Sequence, residues 1–402
     1  MTTTPENAEA AAALLAACAG AGSAVVFSGG ETLQSIGNAP SRCDVTLSTA
    51  KLRGIADYDP RDMTAGIGAG TTLADVARVL AEHGQWIPFD APMPARATVG
   101  GTLAAGWAGP RRAAYGRPRD LVIGSTIALT DGSLAHAGGM VVKNVTGYDM
   151  SKLYIGSLGT LGLIVRANFK ALPRPAGRRL AIAPVPDDVR ERAIAAIGSL
   201  AIEPVAALVL DGFARVARHP SAALRLALLF EGSEAVVERA TRDARSALGK
   251  VGVAETLLSD GAAAERAFGD IVDAYVDAPG TRTLTYRVPG LPSTAWARTR
   301  LAKQIARDHG LSVETIADVR TGDAILRFGA RSAPAFASAL AAFDTRVRAA
   351  FERSTVLAGA PALRAAVDAW GTVPTTIATM RAIKAHFDPA GILAPGRYVG
   401  AI

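Results

Sequence analysis

In residues 1–175 the apolar positions fall into short runs separated by turn formers. Residues 24–27 (Ala-Val-Val-Phe) make a run of strand length that stops at Ser28-Gly29-Gly30, and residues 45–47 and 63–67 repeat the pattern. Short apolar runs bounded by such turns predict buried strands. Between residues 71 and 83 the period lengthens to that of a helix. Leu73, Val76, Ala77 and Leu80 share a face, Thr72 is placed to cap with Asp75 three residues on, and Gly84 ends the pattern. Residues 121–129 return to a strand, with Asp131-Gly132 as a hairpin turn. Leu163, Val165, Ala167, Phe169 and Ala171 then alternate with Ile164, Arg166, Asn168 and Lys170, which predicts a strand with one buried face. Pro173-Arg174-Pro175 closes the block.

Beyond that linker, helical periods over residues 189–200, 235–248 and 294–309 interleave with strand-length runs over 206–210, 224–230, 283–288 and 324–328. This order suits helices packed on one face of an antiparallel sheet. A last helical pattern, residues 375–386, leads into Phe387-Asp388-Pro389-Ala390-Gly391-Ile392-Leu393-Ala394-Pro395-Gly396-Arg397. The expected fold class is α+β, divided as residues 1–175, 176–360 and 361–402, because 402 residues are many for a single core.

Composition changes this picture little. Half of the residues are apolar and a fifth charged, the balance of a globular chain. No run reaches the about 20 apolar residues of a spanning helix. No Lys or Arg precedes Arg42, so the basic start of a secretory signal is missing and a cytoplasmic location is expected. The formal charge of +7 comes without a run of five basic residues or interleaved aromatics, which argues against nucleic acid. It leaves a basic face for an anionic cofactor, a protein partner or a membrane surface. Cys18 and Cys43 are too few for an iron–sulfur cluster or a disulfide framework, and each reads as a lone buried thiol. His83, His136, His219, His309 and His386 are scattered without i,i+4 spacing, so no metal site is expected from them.

The candidate chemistry lies in residues 99–162, which hold 13 of the 41 glycines. Glycine at that density marks backbone brought close to something, or turns that need positive φ. Gly66-Ile67-Gly68-Ala69-Gly70 does not make a Rossmann fingerprint, because the third glycine would fall at Thr71 and no acidic residue closes a following strand. Three glycine-rich turns remain: Ser28-Gly29-Gly30, Gly100-Gly101-Thr102, and the stretch from Gly156 through Gly159 to Gly162. Together they suit a long cofactor carrying two phosphates.

The order of these motifs resembles the flavoprotein family of vanillyl-alcohol oxidase and p-cresol methylhydroxylase, with its FAD domain over residues 1–175. The closing Phe387-Asp388-Pro389-x-Gly391-Ile392-Leu393-x-Pro395-Gly396 is similar to the signature of the family's D-2-hydroxyacid-oxidising branch. Gly109-Pro110-Arg111-Arg112, Gly116, Arg119-Asp120 and Gly124 resemble the FAD-binding subunits of bacterial glycolate oxidases. So does Lys143-Asn144-x-x-Gly147-Tyr148-Asp149-x-x-Lys152-Leu153.

The resemblance implies a two-part FAD-binding domain of the p-cresol methylhydroxylase type, an α+β cap with an antiparallel sheet, and a C-terminal segment that returns to the FAD domain. It implies FAD held through its pyrophosphate by Ser28, Gly29, Gly30, Glu31 and Thr32 and by Thr98, Val99, Gly100 and Gly101. Further contacts are implied from Gly106, Gly116, Asp120, Lys143, Asn144, Gly147, Tyr148, Asp149 and Gly159. Non-covalent attachment is expected, since no histidine lies in the Ser28 turn or near Gly101. In one place the chain departs from the pattern of the family it resembles. Where the family has Arg-Gly-Gly-Gly-Ser, this sequence has Phe27-Ser28-Gly29-Gly30-Glu31, exchanging a cation for a carboxylate beside two phosphates.

Lys143 is the candidate cation for tuning a reduced flavin. Arg111 and Arg112 suit a phosphate or substrate carboxylate and suit the docking of a partner equally well; Arg327 is a further carboxylate candidate. The resemblance implies one subunit of a glycolate (D-2-hydroxyacid) dehydrogenase. Such a subunit takes or relays electrons between a larger FAD-containing, hydroxyacid-oxidising subunit and an iron–sulfur subunit, with peripheral membrane association through partners open to it. A stand-alone FAD-dependent oxidoreductase and a flavin-empty scaffold are the alternatives.

Overall fold

Asparagine and glycine bracket the first helix. In a computed structural model, which describes residues 1–141, 147–216, 224–277 and 282–402, the side chain of Asn7 accepts a hydrogen bond from the backbone N–H of Ala10 (2.8 Å) and starts Ala8–Ala21. Gly22, at φ 64°, closes it by donating to the Ala19 carbonyl. Ala11, Ala12, Leu15 and Cys18 of this helix pack on Val25, Leu47, Leu52, Leu163 and Val165. Burial pushes the Cys18 thiol pKa up, whereas Cys43 is exposed, contrary to the reading of both as buried thiols.

The chain divides into two compact units. One comprises Met1–Gly109, Gly116–Arg174 and Ala369–Ile402; the other comprises Pro110–Tyr115 and Pro175–Asp368. Pro110–Tyr115 therefore packs with the second unit rather than with the block 1–175 that surrounds it in sequence, and residues 361–368 do the same.

In the first unit, Thr2–Thr3, Val45–Ser48 and Val25–Ser28 form a parallel three-stranded sheet with Val45–Ser48 in the middle. The end of the chain extends it, for Val25 donates to the Ile392 carbonyl (2.8 Å) and Ala394 to the Val25 carbonyl (2.9 Å). Asp388 shapes that end. Its Oδ1 accepts from Ile392 N (3.0 Å), while its Oδ2 accepts from Leu393 N (2.8 Å) and from Lys384 Nζ (2.6 Å). Lys384, on helix Ile377–Phe387, also donates to the carbonyls of Thr160 (2.9 Å) and Leu393 (2.8 Å). Burial lowers the pKa of its ammonium, and Asp388 opposes that shift.

The second sheet of this unit is antiparallel, in the order Ile55–Asp59, Thr64–Gly68, Leu163–Lys170, Val122–Ala128, Leu134–Gly138. Thr72 caps Leu73–Ala81 as its spacing predicts, accepting from Asp75 N (3.2 Å). Ile164, expected on the outer face of its strand, is buried with its neighbours Leu163 and Val165.

The second unit is built on eight antiparallel strands. Their order is Leu257–Asp260, Gly177–Pro184, Leu224–Gly232, Ala206–Asp211, Ser312–Asp318, Ala324–Gly329, Thr283–Val288, Thr355–Gly359. Helix Glu234–Lys250, capped by Ser233, lays Val237, Ala240, Ala244 and Leu248 on Ala181, Leu226, Leu228 and Phe230. Helix Arg190–Gly198 adds Ala193 and Ile197 to the same cluster. Among the described residues, no helix is long and apolar enough to cross a membrane.

Candidate functional site

The strand Val25–Ser28 ends in a loop where side chains do not fit. A Cβ on Gly29 would sit 2.4 Å from Thr98 Oγ1, and one on Gly30 would sit 1.7 Å from the Arg96 carbonyl oxygen. Gly30's own carbonyl accepts from the Arg96 guanidinium (3.2 Å). Glu31 adopts φ 59°, a left-handed conformation uncommon for a side chain other than Gly, Asn or Asp. Its exposed carboxylate turns back and accepts from Ser28 Oγ (2.8 Å). Among the described residues, the backbone N–H groups of Gly29, Gly30, Glu31 and Thr32 meet no protein acceptor. Four successive open donors of this kind make an anion-binding concavity.

Facing the loop is the short helix Val99–Ala104, whose N-terminus is already satisfied. Thr98 Oγ1 accepts from Gly101 N (3.2 Å), Val99 N donates to the Thr71 carbonyl (3.0 Å) and Gly100 N to the Ala69 carbonyl (2.8 Å). Val99, Gly100 and Gly101 thus spend their N–H groups on the protein. Thr98, Gly100 and Gly101 serve as wall, and Val99 is buried behind them.

The third glycine turn docks on the same helix through Gly156 N to the Leu103 carbonyl (2.9 Å) and Leu158 N to the Ala104 carbonyl (2.8 Å). A Cβ on Gly159, at φ 76°, would stand 2.5 Å from the Phe27 ring. These three turns line one cleft, partly open to solvent, with a cavity volume of about 70 Å³. Ser28, Gly29, Gly30, Glu31, Thr32, Thr98, Gly100, Gly101 and Gly159 all line it.

Other expected contacts lie elsewhere. Gly106 meets Gly156, where a Cβ would come within 2.9 Å of that residue's Cα. Gly116, at φ 80°, sits beside Asp120, whose exposed carboxylate accepts from Arg117 N (2.9 Å) at a four-residue helix. Gly147, Tyr148 and Asp149 are exposed, with Tyr148 at 92% and Asp149 paired to Lys152 (2.6 Å). None of these six lines the cleft. Lys143 and Asn144 lie outside the described residues, as does His219.

The arginines proposed for a carboxylate or phosphate are engaged within the second unit. Arg111 is buried against Glu231 (2.8 Å) and Glu265 (2.6 Å) and stacks over the Phe268 ring. Arg112 pairs with Asp323 (2.8 Å). Arg327 pairs with Glu314 (3.4 Å), donates to the carbonyls of Ala274 and Asp277, and lies over Phe213; burial lowers its pKa. Arg111, Arg112 and Arg327, read as candidates for a carboxylate, a phosphate or (for the first two) a partner, thus stand in ion pairs with carboxylates of the second unit.

The residue missed by sequence reasoning is Arg397. It lines the cleft, is 5% exposed, and donates to the carbonyls of Gln34 (3.1 Å) and Ile36 (3.4 Å). The parallel bridge between Val25 and Leu393 carries it there. Its only signal in sequence is a basic residue closing the Pro395-Gly396 turn.

Gly30→Ala gives a direct check on the cleft. Because the added Cβ meets backbone rather than a flexible side chain, the loop must shift. The expected cost is about 1–3 kcal/mol of stability, read as a lower melting temperature of the purified chain.

Comparison with known proteins names the class. Residues 1–138 match the family model of the FAD binding domain, and residues 370–398 match the C-terminal domain of FAD linked oxidases. Glycolate oxidase subunit GlcE of Escherichia coli (strain K12) is 42% identical over 131 residues, 32% of this chain and 37% of that protein. Glycolate oxidase subunit GlcD of Bacillus subtilis (strain 168) is 28% identical over 245 residues, 58% of this chain and 52% of that protein. The chain thus spans between about a third and a half of these relatives. The structure of p-cresol methylhydroxylase with substrate bound superposes over 98% of this chain and 88% of its own, with a TM-score of 0.74 at 16% identity, a likeness of fold. The chain thus matches an FAD binding domain over residues 1–138 and an FAD linked oxidase C-terminal domain over residues 370–398, on a fold like that of p-cresol methylhydroxylase.

Proposed function

We propose that this chain is the FAD-binding component of a D-2-hydroxyacid dehydrogenase built from several different subunits, with glycolate as the first substrate to test. In this reading it takes or relays electrons toward an iron–sulfur partner. The observation that carries the proposal is the cleft itself, where four open backbone donors at residues 29–32 face a wall of glycine and small side chains. When bound there, FAD supplies a two-electron acceptor able to release electrons singly.

The chain's own residues hold and shield the cofactor. The N–H groups of Gly29, Gly30, Glu31 and Thr32 are the donors for its pyrophosphate. Thr98, Gly100, Gly101 and Gly159 let its body approach the backbone. The Ser28 hydroxyl holds the Glu31 carboxylate back on its own loop.

A relay role, in preference to substrate oxidation within this chain, is supported by the pairing of Arg111, Arg112 and Arg327 with carboxylates. A 2-hydroxy acid needs a cation for its own carboxylate, and these three are engaged. Purified alone, the chain is expected to show flavin absorbance yet negligible glycolate oxidation with an artificial acceptor. Activity is expected on adding the co-purifying subunits, one of them cysteine-rich. Robust turnover by the isolated chain would replace this reading with a stand-alone oxidoreductase. Absence of flavin, even after incubation with FAD, would leave a scaffold.

A further inference from the structure

Among the described residues lining the cleft of the first unit, two carry formal charge: Glu31 and Arg397. They stand at opposite ends of the sequence, and their effects on an anionic ligand have opposite sign. We propose that Arg397 supplies the positive charge that the loop Phe27-Ser28-Gly29-Gly30-Glu31 does not itself carry, and so sets the affinity for the pyrophosphate of FAD. The proposal rests on the reading that FAD occupies this cleft.

Three observations support the role. Arg397 is 5% exposed, so its charge is screened far less by salt and water than that of a surface arginine. Its guanidinium is held in place beforehand by the Gln34 and Ile36 carbonyls (3.1 and 3.4 Å). Its own carbonyl accepts from Asn38 N (2.9 Å) and Trp370 Nε1 (3.0 Å), which fixes the main chain on the other side. A planar guanidinium held this way meets a phosphate with little further ordering.

Gly37 permits the approach. At φ 82° it leaves no room for a Cβ, which would come 2.8 Å from the Arg397 carbonyl oxygen. The exposed Glu31 carboxylate lines the same cleft and is restrained by the Ser28 hydroxyl. Arginine at the tail and glutamate in the loop therefore act as two opposed settings of one binding constant.

The test titrates FAD into flavin-stripped full-length chain, following flavin fluorescence over a series of salt concentrations, with the melting temperature of each apoprotein measured in parallel. Arg397→Gln is expected to weaken FAD binding about ten- to a hundredfold, at high salt as at low. Arg397→Lys, which keeps the charge but not the fork, is expected to recover most of the loss. Glu31→Gln is expected to tighten binding about two- to fivefold.

Unchanged affinity in Arg397→Gln, with the unaltered chain binding FAD, overturns the proposal and leaves the cofactor reading intact. Equal weakening by lysine and glutamine, with equal falls in apoprotein melting temperature, also overturns it, because arginine then only pins residues 34–38. If Arg397→Gln does not fold, Glu31→Gln decides, and no gain in its affinity sinks the role of charge. Failure of the unaltered chain to bind FAD removes the cofactor reading and this proposal with it.

Discussion

Replacing Glu231 by alanine is expected to lower the stability of the second unit by about 3–5 kcal/mol, a fall of roughly 6–20 °C in melting midpoint for a unit of this size. The side chain of Glu231 has no solvent exposure, and it accepts hydrogen bonds from Arg111, Arg178 and the Tyr115 hydroxyl (3.0 Å). Deleting it strands two guanidinium groups that are themselves 3% and 8% exposed. Glu265, the other carboxylate touching both arginines, is 46% exposed and compensates poorly.

The pH dependence has a definite sign. Burial pushes the Glu231 pKa up, but Arg111 and Arg178 outweigh burial and bring it below the ordinary 4.5. The stability gained this way is present above about pH 4.5 and is lost as pH falls through the lower value of the folded state. Glu231→Gln should therefore unfold with a shallower acid limb than the unaltered chain. An acid limb of unchanged slope would exclude Glu231 as its source. Burial and the neighbouring Glu231 raise the pKa of Tyr115, so its hydroxyl remains a donor throughout this range.

The second large effect is expected at Asp388. Asp388→Ala removes the acceptor of two backbone N–H groups and the counter-charge of Lys384, whose side chain is 14% exposed. Breaking such a pair costs about 3–5 kcal/mol. The change also reaches the cleft, because Asp388 fixes the turn that sets Ile392 and Leu393 beside Val25. Chemical unfolding of Asp388→Ala, Lys384→Met and the double variant provides the check. The double variant should be less destabilised than the sum of the two. Simple additivity would show that the ion pair contributes nothing of its own.

Much of the scaffold was legible because it depends on local pattern. Thr72 and Asp75 announce a helix start, Asp131-Gly132 a hairpin, and the alternation from Leu163 onward a half-buried strand; each depends on neighbours within a few residues. Helices Ala8–Ala21 and Ala333–Ala350 escaped notice because alanine fills inner and outer faces alike and leaves no contrast for a period to show. The strand Gly177–Pro184, which begins with two arginines after its glycine, gave no clean alternation either.

Site residues divided along the same line. The glycine turns could be read because close packing of backbone demands glycine whatever lies opposite. The arginines could not, since the partner that engages Arg111 stands 120 residues away at Glu231. For the same reason the sequence does not show that the carbonyls of Thr71 and Ala69 take the N–H groups of Val99 and Gly100.

The division of the chain bears on the order in which it is made. The first unit is interrupted by Pro175–Asp368 and resumes only at Ala369. Domains tend to fold as they leave the ribosome, yet the segments of this one lie on either side of Pro175–Asp368 in the chain. Until Leu393 reaches Val25, the sheet Thr2–Thr3, Val45–Ser48, Val25–Ser28 keeps an open edge, and Arg397 is missing from the cleft beside it. A chain stalled inside the second unit therefore leaves the strand Val25–Ser28 without its neighbour at residues 392–394.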